Sequence, residues 1–345
     1  MRVLLSLPSL DVPKFKGLAK VSLKLVEGLK DKVDLKVYEA YKEGKSYFKN
    51  LTITPLTQLK TKADIYHAVT PENGTFTPFF RKNTVVTIHD FIPYTQDIKF
   101  KDFALAYTTF MWGLAIKKSK VIIANSSLTA KQIKNIFKRD SIVINPGVDE
   151  KFKKMNIKKD KITLGFFANF SFRKRVNVAI EVFKILKKKV DCKLIIAGGE
   201  LQTIYQKQFN VKKLTKGLED VEILGYVPED KVVELYNSFD FFLFPSKIEG
   251  FGIPILEAQA CGIPTFILSD ALIPDEVKAK AIVCDSAEDM ANKILELIND
   301  KYSYRRISEE GIKYAKKFTW ENFIEKHIQI YESLLWLEKR YFNIT

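Results

Sequence analysis

Short apolar runs alternate with amphipathic stretches along the whole chain. In the first half the strand-type runs are Arg2–Leu7, Leu35–Tyr38, Leu51–Thr54, Ile65–His67, Thr84–His89, Val121–Ala124 and Ile142–Ile144. They are largely apolar rather than alternating, the pattern of strands buried on both faces of a parallel sheet. Between them, helical periodicity predicts helices over Gly17–Leu29, Phe103–Lys118 and Leu128–Phe137. The rhythm restarts after residue 160, with strands predicted at Ile162–Ala168, Lys193–Ala197, Val221–Leu224, Phe241–Phe244, Thr265–Leu268 and Ala281–Val283. The matching helices are Val176–Lys189, Thr203–Lys216, Asp230–Phe239, Pro254–Cys261, Ala287–Ile298 and Tyr304–Lys317. Strand–helix alternation of this kind predicts right-handed crossovers and an α/β fold.

The length of 345 residues suits about two domains at roughly 150 residues each. The two-part rhythm predicts them as residues 1–150 and 151–319, two doubly wound parallel-sheet domains facing a cleft. A polar, lysine-rich run over residues 145–161 would link them. A long apolar-periodic helix from Trp320 has no strand to serve, so residues 320–345 are expected to pack across the seam, back onto the first half. Ligands of doubly wound sheets bind outside the carboxyl ends of the strands, which places the site on the loops after strands.

Composition narrows the classes. Three cysteines, Cys192, Cys261 and Cys284, are too few and scattered for a disulfide framework or a Cys-x-x-Cys metal site, and suit a reducing compartment. No apolar stretch reaches the ~18 residues that span a bilayer, and the start reads as a first strand rather than a signal peptide, so a cytoplasmic location is expected. The net charge is +15, and residues 1–150 carry most of it, with 24 Lys/Arg against 14 Asp/Glu. An acidic small molecule, an anionic membrane surface, nucleic acid or simply a well-solvated surface would each account for that excess. The basic residues are dispersed, without RNA-recognition aromatics or a helix-turn-helix pattern, which argues against nucleic acid. Lys14, Lys16, Lys20 and Lys24 lie on or beside the first helix near Phe15, Leu18 and Val21. That face would suit peripheral docking on anionic lipid, or would simply be solvated.

The sharpest motif is SKIEGFGIPILEAQACGIP, residues 246–264, after the apolar run FDFFLFP. Glu249 precedes Gly250-Phe251-Gly252, a helix is predicted from Pro254, and Glu257 follows Glu249 by eight residues. Free backbone N–H groups at a helix start favour an anion such as a diphosphate, and the glycines admit close approach. Two carboxylates can accept hydrogen bonds from sugar hydroxyls. Eight helical residues would separate them by about 12 Å, enough for one to meet a hexose and the other a ribose. A second constellation, GFFANFSFRKRVN at 165–177, puts Arg173, Lys174 and Arg175 just before a helix, where they would neutralise a diphosphate leaving group. His89 ends the strand TVVTI beside Asp90 and could serve as an acid/base or hydrogen-bonding group. His67 ends another strand and could line the same cleft, whereas His327 reads as structural. No Asp-x-Asp triplet or His/Cys cluster suggests a metal, and no G-x-G-x-x-G after the first strand suggests a dehydrogenase.

These motifs resemble the retaining glycosyltransferases of family 4, whose GT-B fold consists of two facing Rossmann-like domains. The ExFGxPxxExxxxGxP pattern matches in place. The resemblance implies that Glu249 contacts hydroxyls of the transferred sugar and Glu257 holds the nucleotide ribose, with the amides of Gly250, Phe251 and Gly252 against sugar and phosphate. Lys174 matches the family's phosphate-binding lysine. Asn169 stands where an arginine is usual and Arg175 where a glycine is usual, so Arg173 is expected to substitute in the clamp. His89 would lie near the donor sugar and the reacting centre, and Gly17 would take the place of the family's glycine-containing loop after strand 1. The segment LGYVPEDKVVELY, residues 224–236, would bring the backbone of Tyr226 and Val227 near the base. The resemblance implies sugar transfer from a nucleotide-diphosphate sugar to a hydroxyl acceptor, with retention, without a metal or other cofactor, by front-side displacement. Catalysis would fall to His89, Glu249 and Lys174. Glu249→Ala and Lys174→Ala are each expected to abolish transfer and leave the fold intact. The alternative, drawn from Asn169, is a non-catalytic nucleotide-sugar-binding subunit.

Overall fold

The structure, a computed structural model, describes residues 1–7, 16–39, 60–74, 77–91, 103–199 and 208–342. It divides into two units, Met1–Gly147 with Trp320–Thr345, and Val148–Thr319. Each is built on a six-stranded parallel sheet.

The first sheet comprises β1 (Arg2–Leu7), β2 (Asp34–Glu39), β3 (Ile65–Ala68), β4 (Thr84–Ile88), β5 (Val121–Ala124) and β6 (Ile142–Val143), in the order β2-β1-β3-β4-β5-β6. Its register runs from Arg2 opposite Asp34 to Leu7 opposite Glu39, with Val3 opposite Ile65 on the other side. The inner strands β3 and β4 are buried at every position, as their unbroken apolar runs require, while edge strand β2 is mostly open. The expected strand Leu51–Thr54 lies outside the described residues. The helix Ser127–Phe137 starts where Ser126 accepts a hydrogen bond from the Thr129 amide at 3.1 Å. Two short helical turns, Pro71–Gly74 and Thr77–Phe80, follow β3. Four residues are too few for a periodicity to register, so no pattern announced them. The terminal helix Trp320–Phe342 belongs to this unit, packed against Lys16–Leu29 and burying Phe323, Ile324, Tyr331 and Leu334.

The second sheet comprises β7 (Ile162–Phe167), β8 (Cys192–Ala197), β9 (Val221–Gly225), β10 (Phe241–Leu243), β11 (Thr265–Leu268) and β12 (Ile282–Cys284), in the order β12-β11-β10-β7-β8-β9. Counted within the unit, this is the 3-2-1-4-5-6 order of dinucleotide-binding folds, and the winding reverses between β7 and β10. Helices Val176–Lys187, Ala287–Asn299 and Lys301–Ala315 were legible from their apolar stripes. The helix expected over Thr203–Lys216 is instead only Val211–Leu214 within the described part. Asn210 caps it by accepting from the Lys213 amide, and Gln208 forms a bridge with Ser171. The lysine-rich run expected as a linker is anchored in this unit. Val148 and Phe152 are buried in its core, and the Met155 amide donates to Asn237 Oδ1 at 2.7 Å. The three cysteines are buried free thiols, and burial pushes each up to about 11 or 12. Among the described residues no helix is long and apolar enough to cross a membrane.

Candidate active site

The reversal between β7 and β10 brings two loops together within the second unit. The loop after β7 carries Asn169 to Arg175, and the loop after β10 carries Ser246 to Gly252. The Lys247 amide joins them by donating to the Arg173 carbonyl at 2.8 Å, and the Glu249 amide ties the second loop to the segment after β11 by donating to the Leu272 carbonyl at 3.0 Å.

Three donors converge on one carboxylate oxygen. Glu249 Oε1 accepts from Lys174 Nζ at 2.5 Å, from Arg173 at 3.1 Å and from the Ser246 hydroxyl. Among the described residues Oε2 takes no hydrogen bond. All three charged side chains are at least 85% buried. Burial pushes the Glu249 carboxyl up, but the Lys174 and Arg173 charges outweigh it and hold the group below its ordinary value. Two cations against one anion leave a net positive charge out of water. Arg173 also donates to the Ile248 carbonyl at 2.6 Å, yet its Nε is buried with no hydrogen-bond partner. Buried donors of this kind are rare unless something else satisfies them.

The helices that start here add to this excess. Val176–Lys187 begins behind Arg175 and Ile253–Ala260 behind Gly252, and neither has a side-chain cap. By contrast Ser126, Ser286 and Asp300 cap helices elsewhere. Uncapped N-terminal amides beside buried cations are features that favour an anion. Gly252 adopts φ 105°, where a side chain would be strained. Arg175, expected where glycine is usual, also lies in the left-handed region at φ 51°. Its guanidinium holds the shape: Nε donates to the Pro245 carbonyl at 2.6 Å, and both terminal nitrogens reach Asp270 at 2.8 and 2.9 Å.

Other expectations are placed differently. Asn169 Oδ1 accepts from the Ser171 amide and hydroxyl, at 3.2 and 2.7 Å, so this side chain shapes its own turn rather than standing in for an arginine. Glu257 is buried, and its Oε2 accepts from the Tyr236 hydroxyl at 3.0 Å. Only the residues from Ile253 onward are helical, so the 12 Å separation expected from eight helical residues does not apply. Phe251 is buried, with its ring in the core against Phe318. Tyr226 is 63% exposed and Val227 buried.

In the first unit, Gly17 begins the Lys16–Leu29 helix with open space around it. The Val21 side chain faces the core and Lys24 pairs with Glu27, so the row named with the first-helix lysines is only partly a surface. His89 Nε2 lies 3.0 Å from the Val69 carbonyl. A carbonyl only accepts, so Nε2 carries the proton and Nδ1 presents a lone pair. Burial depresses this imidazole to about 4, against a smaller opposing effect of the Val69 bond. His67 does not line an opening. It is fully buried, bonded to Tyr331 and Thr87, and stacked on His327 at 5.5 Å.

Sequence reasoning missed Ser246, Tyr236 and Gly198. The first is an ordinary serine after a strand, and a buried tyrosine is indistinguishable from core. Gly198 had a signal in the Gly-Gly pair after β8: at φ 119° any side chain would meet the Ala168 carbonyl.

O-antigen chain mannosyltransferase B of Escherichia coli is 36% identical over 117 residues, covering 33% of this chain and 30% of that protein. The chain spans from 30% to 63% of the length of the first curated relatives it matches. Sucrose-phosphate synthase from Thermosynechococcus elongatus superposes with a TM-score of 0.79 at 15% identity, over 97% of this chain and 99% of that one. Anabaena HepE, solved in complex with UDP-glucose, superposes at 0.73 with 18% identity, over 97% and 99%. Residues 147–314, which include both loops, match the family model for glycosyl transferases group 1. The model spans nearly all of the unit that holds Arg173, Lys174 and Glu249, so this unit belongs to the glycosyl transferases group 1 family, and both sheets follow the GT-B fold.

Proposed function

We propose that this chain transfers a hexose from a nucleotide-diphosphate sugar to a hydroxyl acceptor, with retention and without a metal ion. The observation that carries the proposal is the buried, net-positive cluster of Arg173, Lys174 and Glu249 at the winding reversal. As the glycosidic bond breaks, negative charge grows on the β-phosphate, and preorganised cations and helix amides stabilise it there. Arg173 and Lys174 carry the charge that a metal would otherwise bring. Glu249, fixed through Oε1, offers Oε2 to the sugar hydroxyls. Glu257 takes the ribose, and the backbone at Tyr226 and Val227 takes the base. The part of His89 at the reacting centre rests on family resemblance. In its neutral state it can accept a hydrogen bond through Nδ1. The mannosyltransferase relative and the UDP-glucose complex make GDP-mannose and UDP-glucose the first donors to test. The binding-only alternative drew on Asn169, whose side chain is engaged with Ser171.

The test is a thermal-shift screen of both donors, followed by transfer assays on wild type and Lys174→Ala. A donor should raise the midpoint, because it binds the native state alone. The variant should keep its circular dichroism and lose transfer by about two to three orders of magnitude, as expected for one lost transition-state contact. Near-wild-type turnover by Lys174→Ala would defeat the assignment.

A further inference from the structure

The two motif carboxylates are held in different ways. Glu249 is ion-paired to two cations, whereas Glu257 is oriented by a neutral donor, the Tyr236 hydroxyl at 3.0 Å. Tyr236 is fully buried on the helix Val232–Asn237, ahead of β10 in sequence and remote in sequence from Glu257. Its ring is boxed by four others, at centroid distances of 5.8 Å to Phe152, 5.8 Å to Phe167, 5.4 Å to Phe242 and 6.2 Å to Phe239, all edge-on. Such a ring has one resting place, and so does its O–H. The next residue, Asn237, fastens the same helix to the lysine-rich run, donating to the Lys153 carbonyl at 3.0 Å and accepting from the Met155 amide at 2.7 Å. Burial, and then the Glu257 charge, push the Tyr236 phenol well above its ordinary value, so it remains a donor across the working pH range.

We propose that Tyr236 is a positioning residue for nucleotide recognition: its boxed hydroxyl aims the Glu257 carboxylate at the ribose hydroxyls of the donor and so sets preference for a ribonucleotide over a deoxyribonucleotide. This rests on the assignment of Glu257 to the ribose. A core tyrosine needs only its ring for packing. A tyrosine whose hydroxyl is directed at a motif carboxylate is doing something that phenylalanine could not, and supporting groups of this kind fix the geometry of the groups that touch a ligand.

Calorimetric titration tests it. UDP, GDP, their 2′-deoxy and 3′-deoxy counterparts, and inorganic pyrophosphate are titrated into wild type and Tyr236→Phe. Wild type should bind one ribonucleoside diphosphate and lose tenfold or more on removal of one ribose hydroxyl. Tyr236→Phe should bind that ribonucleotide about three- to tenfold more weakly, lose little more with the deoxy form, and bind pyrophosphate as wild type does. In turnover the loss should fall on the donor KM, with kcat within about twofold. Phe152→Leu, which loosens the box and keeps the hydroxyl, should give a two- to threefold loss of the same kind and serves if Tyr236→Phe does not fold. Unchanged discrimination in the variants, or a loss shared equally by pyrophosphate, would overturn the inference. A wild type indifferent to the ribose hydroxyls would instead overturn the Glu257 assignment and this inference with it. A wild type that binds no diphosphate at all would overturn the donor reading itself.

Discussion

Each unit buries a polar cluster, and the two clusters solve burial in opposite ways. In the first unit His67 and His327 stack in the core, with His89 close enough for their charges to matter, and burial keeps all three far below the ordinary imidazole value. That cluster is neutral and mostly paired within the unit: His67 is bonded on both nitrogens by Tyr331 and Thr87, and His327 Nδ1 donates to the Phe323 carbonyl, while His327 Nε2 is buried without a hydrogen-bond partner. In the second unit Arg173, Lys174 and Glu249 stay charged and do not balance. A buried neutral network stabilises a fold, while a buried unbalanced one is costly and persists where a ligand completes it. The difference separates the core polar residues from the candidate site more clearly than burial does.

The largest expected effect comes from removing the anion of the unbalanced cluster. Glu249→Gln leaves two buried cations facing each other. We expect a loss of about 3 kcal/mol or more, read by urea unfolding with circular dichroism. Added pyrophosphate should recover part of it, more in the variant than in wild type. A loss of that size would overturn the expectation that Glu249 can be replaced with the fold undisturbed, because the carboxylate neutralises its neighbours. A loss under about 0.5 kcal/mol would show the cluster to be well hydrated.

Acid should separate the two units next. Each buried histidine has a folded-state value below its unfolded 6.5, so the unfolded chain binds the extra protons. Stability of the first unit is therefore full above pH 6.5 and falls as the pH drops toward 4. His327 alone, depressed to about 4, accounts for roughly 3 kcal/mol across that window. Glu249 acts in the same direction but lower on the scale: its contribution is present above the ordinary carboxylate value and is lost only as the pH falls below it. All three tryptophans, Trp112, Trp320 and Trp336, lie in the first unit, so their fluorescence reports it alone. Between pH 6.5 and 5 the tryptophan-detected urea midpoint should fall while the second unit holds. His327→Leu should flatten that slope, and equal softening of both units would break the comparison.

Smaller effects sharpen the picture of the cluster. Ser246→Ala removes one of the three donors on Glu249 Oε1 and should cost about 1 kcal/mol in donor affinity or stability. Arg175→Ala should lose the clamp to Pro245 and Asp270 and keep the left-handed strain, whereas Arg175→Gly relieves the strain. The glycine variant should be the more stable by about 1 kcal/mol in urea. The reverse order would mean that the strain at this position is negligible.

The arrangement of strands and most helices was legible in the sequence because buried parallel strands are apolar on both faces and the covering helices carry a single stripe. Phe103–Lys118 was read to the residue, and Thr265–Leu268 likewise. The helix expected over Thr203–Lys216 shows the limit: among the described residues, 208–210 are not helical, and the Asn210 cap starts a short helix only at Val211. The run expected as a linker does contain the boundary between the units, but its lysine-rich composition concealed Val148 and Phe152 as two apolar anchors.

The amino-acid order alone determined the element sequence, the two-unit plan and the loops that carry Lys174 and Glu249, since each depends on neighbours within one or two turns of chain. Only the tertiary structure decided that Lys174 and Glu249 are 2.5 Å apart across 75 residues, that Asn169 serves its own turn, that His67 belongs to the core, and that Tyr236 holds Glu257. Those outcomes follow from where the winding of a sheet reverses and from which buried groups find partners, and neither is a property of any local stretch of sequence.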